Sequence, residues 1–496
     1  MIRSLALVMA LTIGVGVSLQ AVKSVSAASD GLLLKAPAKS SDAAPTTEEI
    51  SVQDETRPQT SMLIADSSTP SPSDPSAVQI ADAASDASGP VVSSSYQQPT
   101  FSTAYEEVPR DQTVRERQRP EVDALGLHLG GFFAYPSVRT SEIYDDNIFV
   151  TPSDKRGDFI TEIAPELSIE SNWNNNALNF DAGAAAGYYA THTGEDYVDY
   201  HFGTDGRIDI TRDDQLTAAF NYRHAHEDRS SPDDVQGKTP TEYDLYHGEI
   251  GDQNRFGRFT LKLDSQLNRY KYFNVDSDNG TTIDNNDRDR ISSLHSVTLS
   301  YEIVPDYDAY VRASYNRQDY DSQQDTAGFD RSSQGFETVV GLAIDLGGVT
   351  RADIFAGYLT QYYQDSQYDT VSGPSFGGSL IWNPTGLTTV TATVSRTLQE
   401  TTQVGAAGYF STDALINIDH ELLRNLILNA FGGFINNDYQ GINRNDDIWT
   451  GGAGAEYLMN RYASIDLKYR YDTRDSSESD ENYERNLILL SLDLKL

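Results

Sequence analysis

The chain has 496 residues, of which 38% are hydrophobic, and its 74 acidic and 37 basic side chains give a formal net charge of −37. A surface this acidic repels nucleic-acid phosphates, which argues against a nucleic-acid-binding protein. The chain has no cysteine, so disulfides, thiolate metal sites and a cysteine nucleophile are excluded. Beyond Val25 no stretch has the about 18 apolar residues that a membrane-spanning helix needs, which excludes a helical membrane protein.

The first residues have the pattern of an export signal. Arg3 precedes an apolar run over residues 5–19, and the small-residue sequence Val25-Ser-Ala27 follows it. This order of a basic start, an apolar run and a cleavage motif predicts a signal peptide over residues 1–27. A single transmembrane anchor is the alternative, but the run is short and contains Gly and Ser.

Residues 28–124 are rich in Ser, Ala, Pro, Asp and Thr and have no helical or strand period. Such a composition cannot bury enough apolar surface to offset its ordering entropy, so we expect a disordered periplasmic segment. The basic run from Arg115 to Arg119 lies near its end. It is interpreted either as a contact for anionic lipid or a periplasmic partner, or as a solvated linker, and the linker is favoured.

Residues 125–496 alternate apolar and polar positions with a period of two. In residues 259–267, Leu261 and Leu263 lie on one face of a strand, and Lys262 and Asp264 lie on the other. Residues 463–471 repeat this pattern. Strands with one apolar and one polar face are predicted throughout this region.

The connections between these strands alternate in length. We count about 18 strands, joined by short turns such as 212–214 and 305–306 and by longer Asp- and Ser-rich loops such as 228–241 and 276–289. Short turns at one rim and longer loops at the other are typical of outer-membrane barrels. The prediction is an all-β protein, a transmembrane antiparallel up-and-down β-barrel of about 18 strands behind a disordered N-terminal arm, in the outer membrane of a Gram-negative bacterium.

Three segments at the start of this region resemble a known family. Residues 131–136 (Gly-Phe-Phe-Ala-Tyr-Pro), 144–149 (Tyr-Asp-Asp-Asn-Ile-Phe) and 165–173 are similar to the family described as putative β-barrel porin 2. The resemblance implies an outer-membrane barrel, often associated with exopolysaccharide or capsule production. It also implies polysaccharide and a periplasmic polysaccharide-export protein as partners, besides the lipid of the outer membrane.

The barrel lumen is the predicted working surface, because a barrel of 16 to 18 strands encloses an aqueous channel. By their alternation, the following polar residues are expected to line it: Asp205, Arg207, Asp209, Lys262, Asp264, Arg312, Asp466, Lys468 and Arg470. These charges have mixed signs, which suits a neutral or weakly acidic carbohydrate better than a single ion. The alternative, which accounts for most of these residues individually, is that they are simply the polar face of the sheet.

Two short motifs contain residue types that are common in binding sites. Tyr144, Asp145, Asp146 and Asn147 follow the first strand, where Asp and Asn oxygens suit a divalent cation or a sugar, but also an ordinary strand-end turn, which is favoured. His224 and His226 lie on one strand face without identifiable further metal ligands. No catalytic residues, metal site or cofactor are predicted.

The expected function is a porin-like outer-membrane conduit, with exopolysaccharide export as the favoured cargo. The alternatives are a general solute porin and a structural or adhesive surface barrel. An autotransporter is disfavoured because residues 28–123 have no repeat or folded pattern. A transporter with 22 strands and a folded plug is disfavoured because the strand region is too short.

Overall fold

The structure, a computed structural model, describes residues 112–496, so the predicted signal peptide and most of the predicted disordered segment lie outside it. These residues form a sheet of 19 antiparallel strands, in which the three-residue β1 pairs only with β2 and the other 18 form a wall. A second sheet, of β9 and β10, lies within one loop. The strands are β1 (Leu127–Leu129), β2 (Phe132–Asp145), β3 (Asp158–Ser171), β4 (Ala177–Tyr189), β5 (Tyr197–Thr211), β6 (Asp214–His226), β7 (Glu242–Phe256), β8 (Phe259–Tyr272), β9 (Val275–Asp276), β10 (Thr282–Ile283), β11 (Arg290–Val304), β12 (Tyr307–Tyr320), β13 (Ser333–Asp345), β14 (Thr350–Tyr363), β15 (Val371–Thr385), β16 (Thr388–Gln399), β17 (Gly408–Leu423), β18 (Leu426–Gln440), β19 (Asn445–Asn460), β20 (Ala463–Ser476) and β21 (Tyr483–Lys495).

The wall is a closed ring. Each wall strand pairs with the next one along the chain, and β21 pairs with β2 in a register that runs from Ser137 opposite Lys495 to Asp145 opposite Leu487. The predicted 18-stranded up-and-down barrel is therefore confirmed. Closure leaves no strand edge with unpaired backbone groups in lipid.

The two rims differ as the sequence predicted. One rim has tight turns, including 212–213, 257–258 and 386–387, and the other has longer connections, including 227–241 and 273–289. The loop 364–370 was not recognised from the sequence, and 441–444 is short for its rim. Three short 3-10 turns, Thr193–Glu195, Asn286–Arg288 and Ser479–Glu481, lie in connections of the long-loop rim. Across residues 112–496, no helix is long and apolar enough to cross a membrane.

The outer and inner faces of the wall differ in polarity. On β21, Ile488, Leu490 and Leu492 are 41–51% exposed, whereas the intervening Ser491 is buried and its Oγ lies 2.9 Å from the Oγ of Ser141 on β2. The outward apolar side chains are therefore positioned for lipid contact. Exposed aromatic side chains near the two rims resemble the girdles of membrane barrels. Those towards the long loops are Tyr144, Phe159, Tyr188, Tyr200, Tyr246, Phe336, Tyr358, Tyr362, Trp449 and Tyr469, and those towards the short turns are Trp173, Phe256, Phe259, Tyr301, Trp382, Tyr457 and Tyr462.

The motif at residues 144–147 joins β2 to β21, the first and last wall strands, whose pairing we call the seam. Asp145 is fully buried and forms an ion pair of 2.7 Å with Arg485 of β21, while Asp146 accepts hydrogen bonds from the backbone and side-chain amides of Asn486. Asn147 donates to the carbonyl oxygens of Thr151 and Glu484. The carboxylates and the amide are thus engaged by protein partners, and Tyr144 belongs to the outer aromatic girdle. The contacts are those of a strand-end turn that also ties the seam.

Asp145→Asn is expected to lower the free energy of unfolding by about 3 kcal/mol or more, because it leaves the guanidinium of Arg485 buried with a weakened partner. Urea unfolding in lipid vesicles measures this change. Arg317→Gln is the matched control, since Arg317 and Asp319 form an ion pair that is half exposed and worth at most about 1 kcal/mol. An equal decrease in the free energy of unfolding in the two variants would show that the Asp145–Arg485 ion pair does not stabilise the barrel.

Candidate functional site

A large cavity lies inside the barrel, beneath the long loops. This chamber has a volume of about 520 Å³, and its wall mixes tyrosines with charged groups of both signs. Lining residues include Tyr189, Tyr320, Arg290, Arg331, Glu162 and Asp199. Its volume is within the range of small-molecule sites, about 300–1,000 Å³.

The loop 227–241, between β6 and β7, folds inward across the mouth of the barrel. Asp233 accepts hydrogen bonds from the hydroxyl of Thr401 at 2.8 Å and the backbone amide of Thr402 at 2.9 Å. These residues belong to the loop 400–407, which lies on the far side of the ring of strands. A guanidinium nitrogen of Arg474 on β20 also donates to the carbonyl of Ser230, at 3.2 Å. The loop therefore spans the mouth and forms a roof over the chamber.

Ion pairs hold the near end of this roof. Arg288 forms two hydrogen bonds with Glu227, at 2.8 and 3.0 Å, and Arg229 forms two with Glu195, both at 2.9 Å. Asp228 lies 3.4 Å from Arg485. Burial opposes ionisation of Asp228, but Arg485 and the hydrogen bonds with Ser230 together outweigh burial and lower the pKa of this carboxyl. These charge-assisted pairs fix the roof in its inward position.

The other end of the lumen is occupied by residues 112–124, which we call the inner segment. The backbone amide of Val114 donates to the hydroxyl of Thr389 at 2.8 Å, and Val114 and Val122 pack with Ile427 and Leu458 of the wall. All three wall residues lie near the short turns and are buried, whereas neighbouring outward residues such as Tyr457 are exposed. The inner segment therefore lies within the short-turn end of the barrel.

Two arginines of the inner segment bind one wall carboxylate. Arg117 and Arg119 lie 3.0 and 2.9 Å from Glu421, and all three side chains are at most 5% exposed. Arg115 also pairs with Asp419, at 2.9 Å. This part of the chain was expected to be a solvated linker within a disordered segment. The structure differs because the acidic lumen wall supplies the counter-charges that a linker would have found in water.

The polar strand residues named in the sequence analysis fall into three groups. Lys262, Asp264 and Arg312 line a smaller cavity of about 80 Å³, where Lys262 and Asp264 are 3.5 Å apart. Arg312 also lies over the ring of Phe355, 4.9 Å from its centroid, and 4.0 Å from Glu337.

The second group consists of Asp466, Lys468 and Arg470 on β20. Lys468 and Arg470 line the large chamber, and Asp466 is buried on the same face. Arg470 pairs with Asp472 at 2.8 Å. Asp205, Arg207 and Asp209 lie opposite the exposed Ile208 and Ile210 but line neither of these two cavities. Arg207 pairs with Asp209 at 3.1 Å, and Asp205 accepts a hydrogen bond from Asn179.

The two histidines of β6 have separate carboxylate partners. Nδ1 of His224 lies 2.8 Å from Asp244, and Nδ1 of His226 lies 2.9 Å from Asp199. Within residues 112–496 no group of three or more His, Cys, Asp or Glu side chains has an arrangement that could hold a metal ion.

The family follows from comparison with known proteins. A family model described as "Putative beta-barrel porin 2" matches residues 119–496, which is most of the chain and all of the barrel. The chain belongs to this family. It is a porin-like protein of the Gram-negative outer membrane, where its barrel is surrounded by lipid. The family is one of porins rather than enzymes.

Solved porins show a distant likeness. OpdL of Pseudomonas aeruginosa has 15% identity and a TM-score of 0.38, and the match covers 74% of this chain and 100% of that one. A BenF-like porin from Pseudomonas fluorescens Pf-5 has 10% identity and a TM-score of 0.40, with 73% and 99% covered. OpdK of Pseudomonas aeruginosa has 9% identity and a TM-score of 0.39, with the same coverage. A comparison with curated proteins finds no match.

The roof is expected to open as the pH rises. Burial raises the pKa of Asp234 in the loop 227–241 to about 7, with Arg229 opposing and Glu227 adding to the shift. The inward roof thus retains a proton that an open loop, with an ordinary aspartate pKa of about 3.9, releases. The equilibrium constant for the inward position of the roof therefore falls between about pH 4 and pH 7, by up to about tenfold per pH unit. Ionised Asp228 stabilises the inward roof. Because its pKa is lowered, this stabilisation is lost only as the pH falls below about 4.

Conductance in planar bilayers tests this pH dependence. The wild-type channel should open more often at pH 7 than at pH 5, whereas Asp234→Asn, which is neutral throughout, should respond little. Asp278→Asn, a change at an exposed loop residue, is the control and should follow the wild type. A wild-type response that persists in Asp234→Asn would rule out this carboxyl as the cause.

Proposed function

We propose that the protein is a gated outer-membrane channel for small polar solutes. The observation that supports this most strongly is the chamber of about 520 Å³ beneath the roof, within a closed barrel whose other end holds the inner segment. A lumen occupied at both ends differs from an open pore. Solute passage requires the roof and the inner segment to move, so the two segments act as gates.

The chamber lining supports polar solutes of low net charge over bare ions. Its cations are interspersed with carboxylates, as in the pairs Arg288–Glu227 and Arg331–Asp325, instead of forming a ring of one sign. Rings of one sign are what ion-selective pores use. Tyrosines between these pairs add flat apolar surfaces with a polar tip. Small sugars and similar polyhydroxyl compounds match this combination.

Export of exopolysaccharide is a second candidate, implied by the family resemblance and favoured by one observation. A conduit wide enough for a polymer must be shut at rest to keep the membrane sealed, and both ends of this lumen are occupied. The partners would then be the polymer and a periplasmic export protein. Polymer passage would require the whole roof to leave the mouth, because the loop 227–241 reaches the loop 400–407 across it.

Glu421→Gln is expected to open the channel, because it removes the carboxylate that neutralises the buried Arg117 and Arg119 and so destabilises the inner segment. Single-channel recording should show a rise of about tenfold or more in open probability. Glu484→Gln is the control, since Glu484 is 62% exposed and pairs with Lys155 at the rim. Equal open probability in Glu421→Gln and the wild type would contradict the gate, and absence of conductance in both would contradict the channel.

Gene deletion separates the two cargo classes. If the protein exports a polysaccharide, the deletion strain loses surface polymer while the polymer still forms inside the cell. If it is a small-solute channel, surface polymer stays at the wild-type level and uptake of small sugars falls. Uptake into vesicles that contain purified Glu421→Gln protein gives the matching measurement outside the cell.

A further inference from the structure

Arg290 occupies an unusual position in the chamber wall. It is the first residue of β11 and lies in register between Tyr270 of β8 and Tyr320 of β12. Its side chain lines the chamber and is 6% exposed. The guanidinium carbon is 4.3 Å from the ring centroid of Tyr270, 5.7 Å from that of Tyr320 and 6.0 Å from that of Tyr272. Three tyrosines thus surround this cation.

The guanidinium of Arg290 has few hydrogen-bond partners. One of its nitrogens, Nη1, donates to the backbone carbonyl of Arg288 at 3.2 Å, and the buried Nε has no hydrogen-bond partner. Among residues 112–496, no carboxylate forms an ion pair with it. Several other chamber cations do have such partners: Arg288 pairs with Glu227, Arg470 with Asp472 and Arg485 with Asp145. A charge buried without a counter-ion is costly, and such groups are normally paired.

The nearest acidic group is already engaged. Glu400, in the loop 400–407, accepts a hydrogen bond of 3.0 Å from the hydroxyl of Tyr320 and lies beyond ion-pair distance from Arg290. Burial raises the pKa of Glu400, while Arg290 and Arg331 oppose that rise and Asp233 adds to it. Glu400 is therefore the carboxylate that acts on Arg290 from a distance, and Arg331 and Asp233 act on Glu400 in turn.

We propose that Arg290 is an oxyanion-binding residue of the chamber and takes the carboxylate of a small solute. This deepens the proposed channel function and rests on it. A planar guanidinium matches a carboxylate through two parallel hydrogen bonds, and the surrounding tyrosine rings exclude water and strengthen that pairing. Glu400 repels further negative charge, so the site selects a monoanion over a dianion such as sulfate. The tyrosines provide flat contact surfaces for the remainder of the solute.

Equilibrium dialysis of the purified full-length protein in detergent tests this site. Glucuronate and glucose form a matched probe pair, because they differ mainly in the carboxylate, and sulfate probes the dianion. The wild type should bind glucuronate at least tenfold more tightly than glucose or sulfate. Arg290→Gln should bind glucuronate and glucose equally, and Arg290→Lys should retain part of the preference. Arg317→Gln, a change at an exposed arginine outside the chamber, should bind as the wild type does.

The same dialysis is performed in the Glu421→Gln background, so that a closed gate cannot hide the site. Equal affinity of the wild type and Glu421→Gln for glucuronate and glucose would overturn the proposal even if Arg290→Gln failed to fold. Undiminished glucuronate preference in a folded Arg290→Gln would also overturn it. These outcomes can be told apart from failure of the proposed channel function. A protein that conducts small sugars but does not prefer glucuronate would contradict only the oxyanion site. Glucuronate binding without conductance would contradict only the channel.

Discussion

The ladder between β2 and β21 is the constraint on which the rest of the structure depends. Lipid offers no hydrogen bonds to the backbone, so every strand edge must be paired inside the membrane. Pairing of the first and last wall strands, reinforced by the buried Asp145–Arg485 ion pair, satisfies this requirement. Once the ring is closed, alternate side chains must face either lipid or the lumen. The acidic character of the chain is therefore concentrated in the lumen and the loops.

Carboxylates of the lumen wall explain why the inner segment enters it. Carboxylates on the inner face are expensive to leave unpaired in a narrow, partly dehydrated space. The inner segment supplies Arg117 and Arg119 to Glu421, whereas the roof supplies the carboxylates of Glu227 and Asp228 to Arg288 and Arg485. Occupying the short-turn end of the lumen and neutralising Glu421 are thus the same interactions. Changes of charge at these few positions are expected to act on gating more than on the barrel itself.

Local patterns in the sequence were sufficient for the barrel but not for the roof and the inner segment. The period of two along residues 463–471 placed Asp466, Lys468 and Arg470 on one face, because a strand's alternation depends only on neighbouring residues. Arg117 and Glu421 are 304 positions apart, and no local pattern predicts such a pairing. The basic run at residues 115–119 was visible, but its partner was not. The isolation of Arg290 likewise depends on how distant loops fold over the chamber.

Cross-linking of the seam tests the closed barrel most directly. Ser141 and Ser491 are opposite residues of β2 and β21 with their hydroxyls 2.9 Å apart, and the chain has no cysteine of its own. In Ser141→Cys/Ser491→Cys, mild oxidation of protein in outer-membrane vesicles should form an intramolecular disulfide, seen as faster migration of denatured, unreduced protein in gels. Free thiols that persist in both positions of the folded protein would contradict closure of the barrel and the channel account built on it.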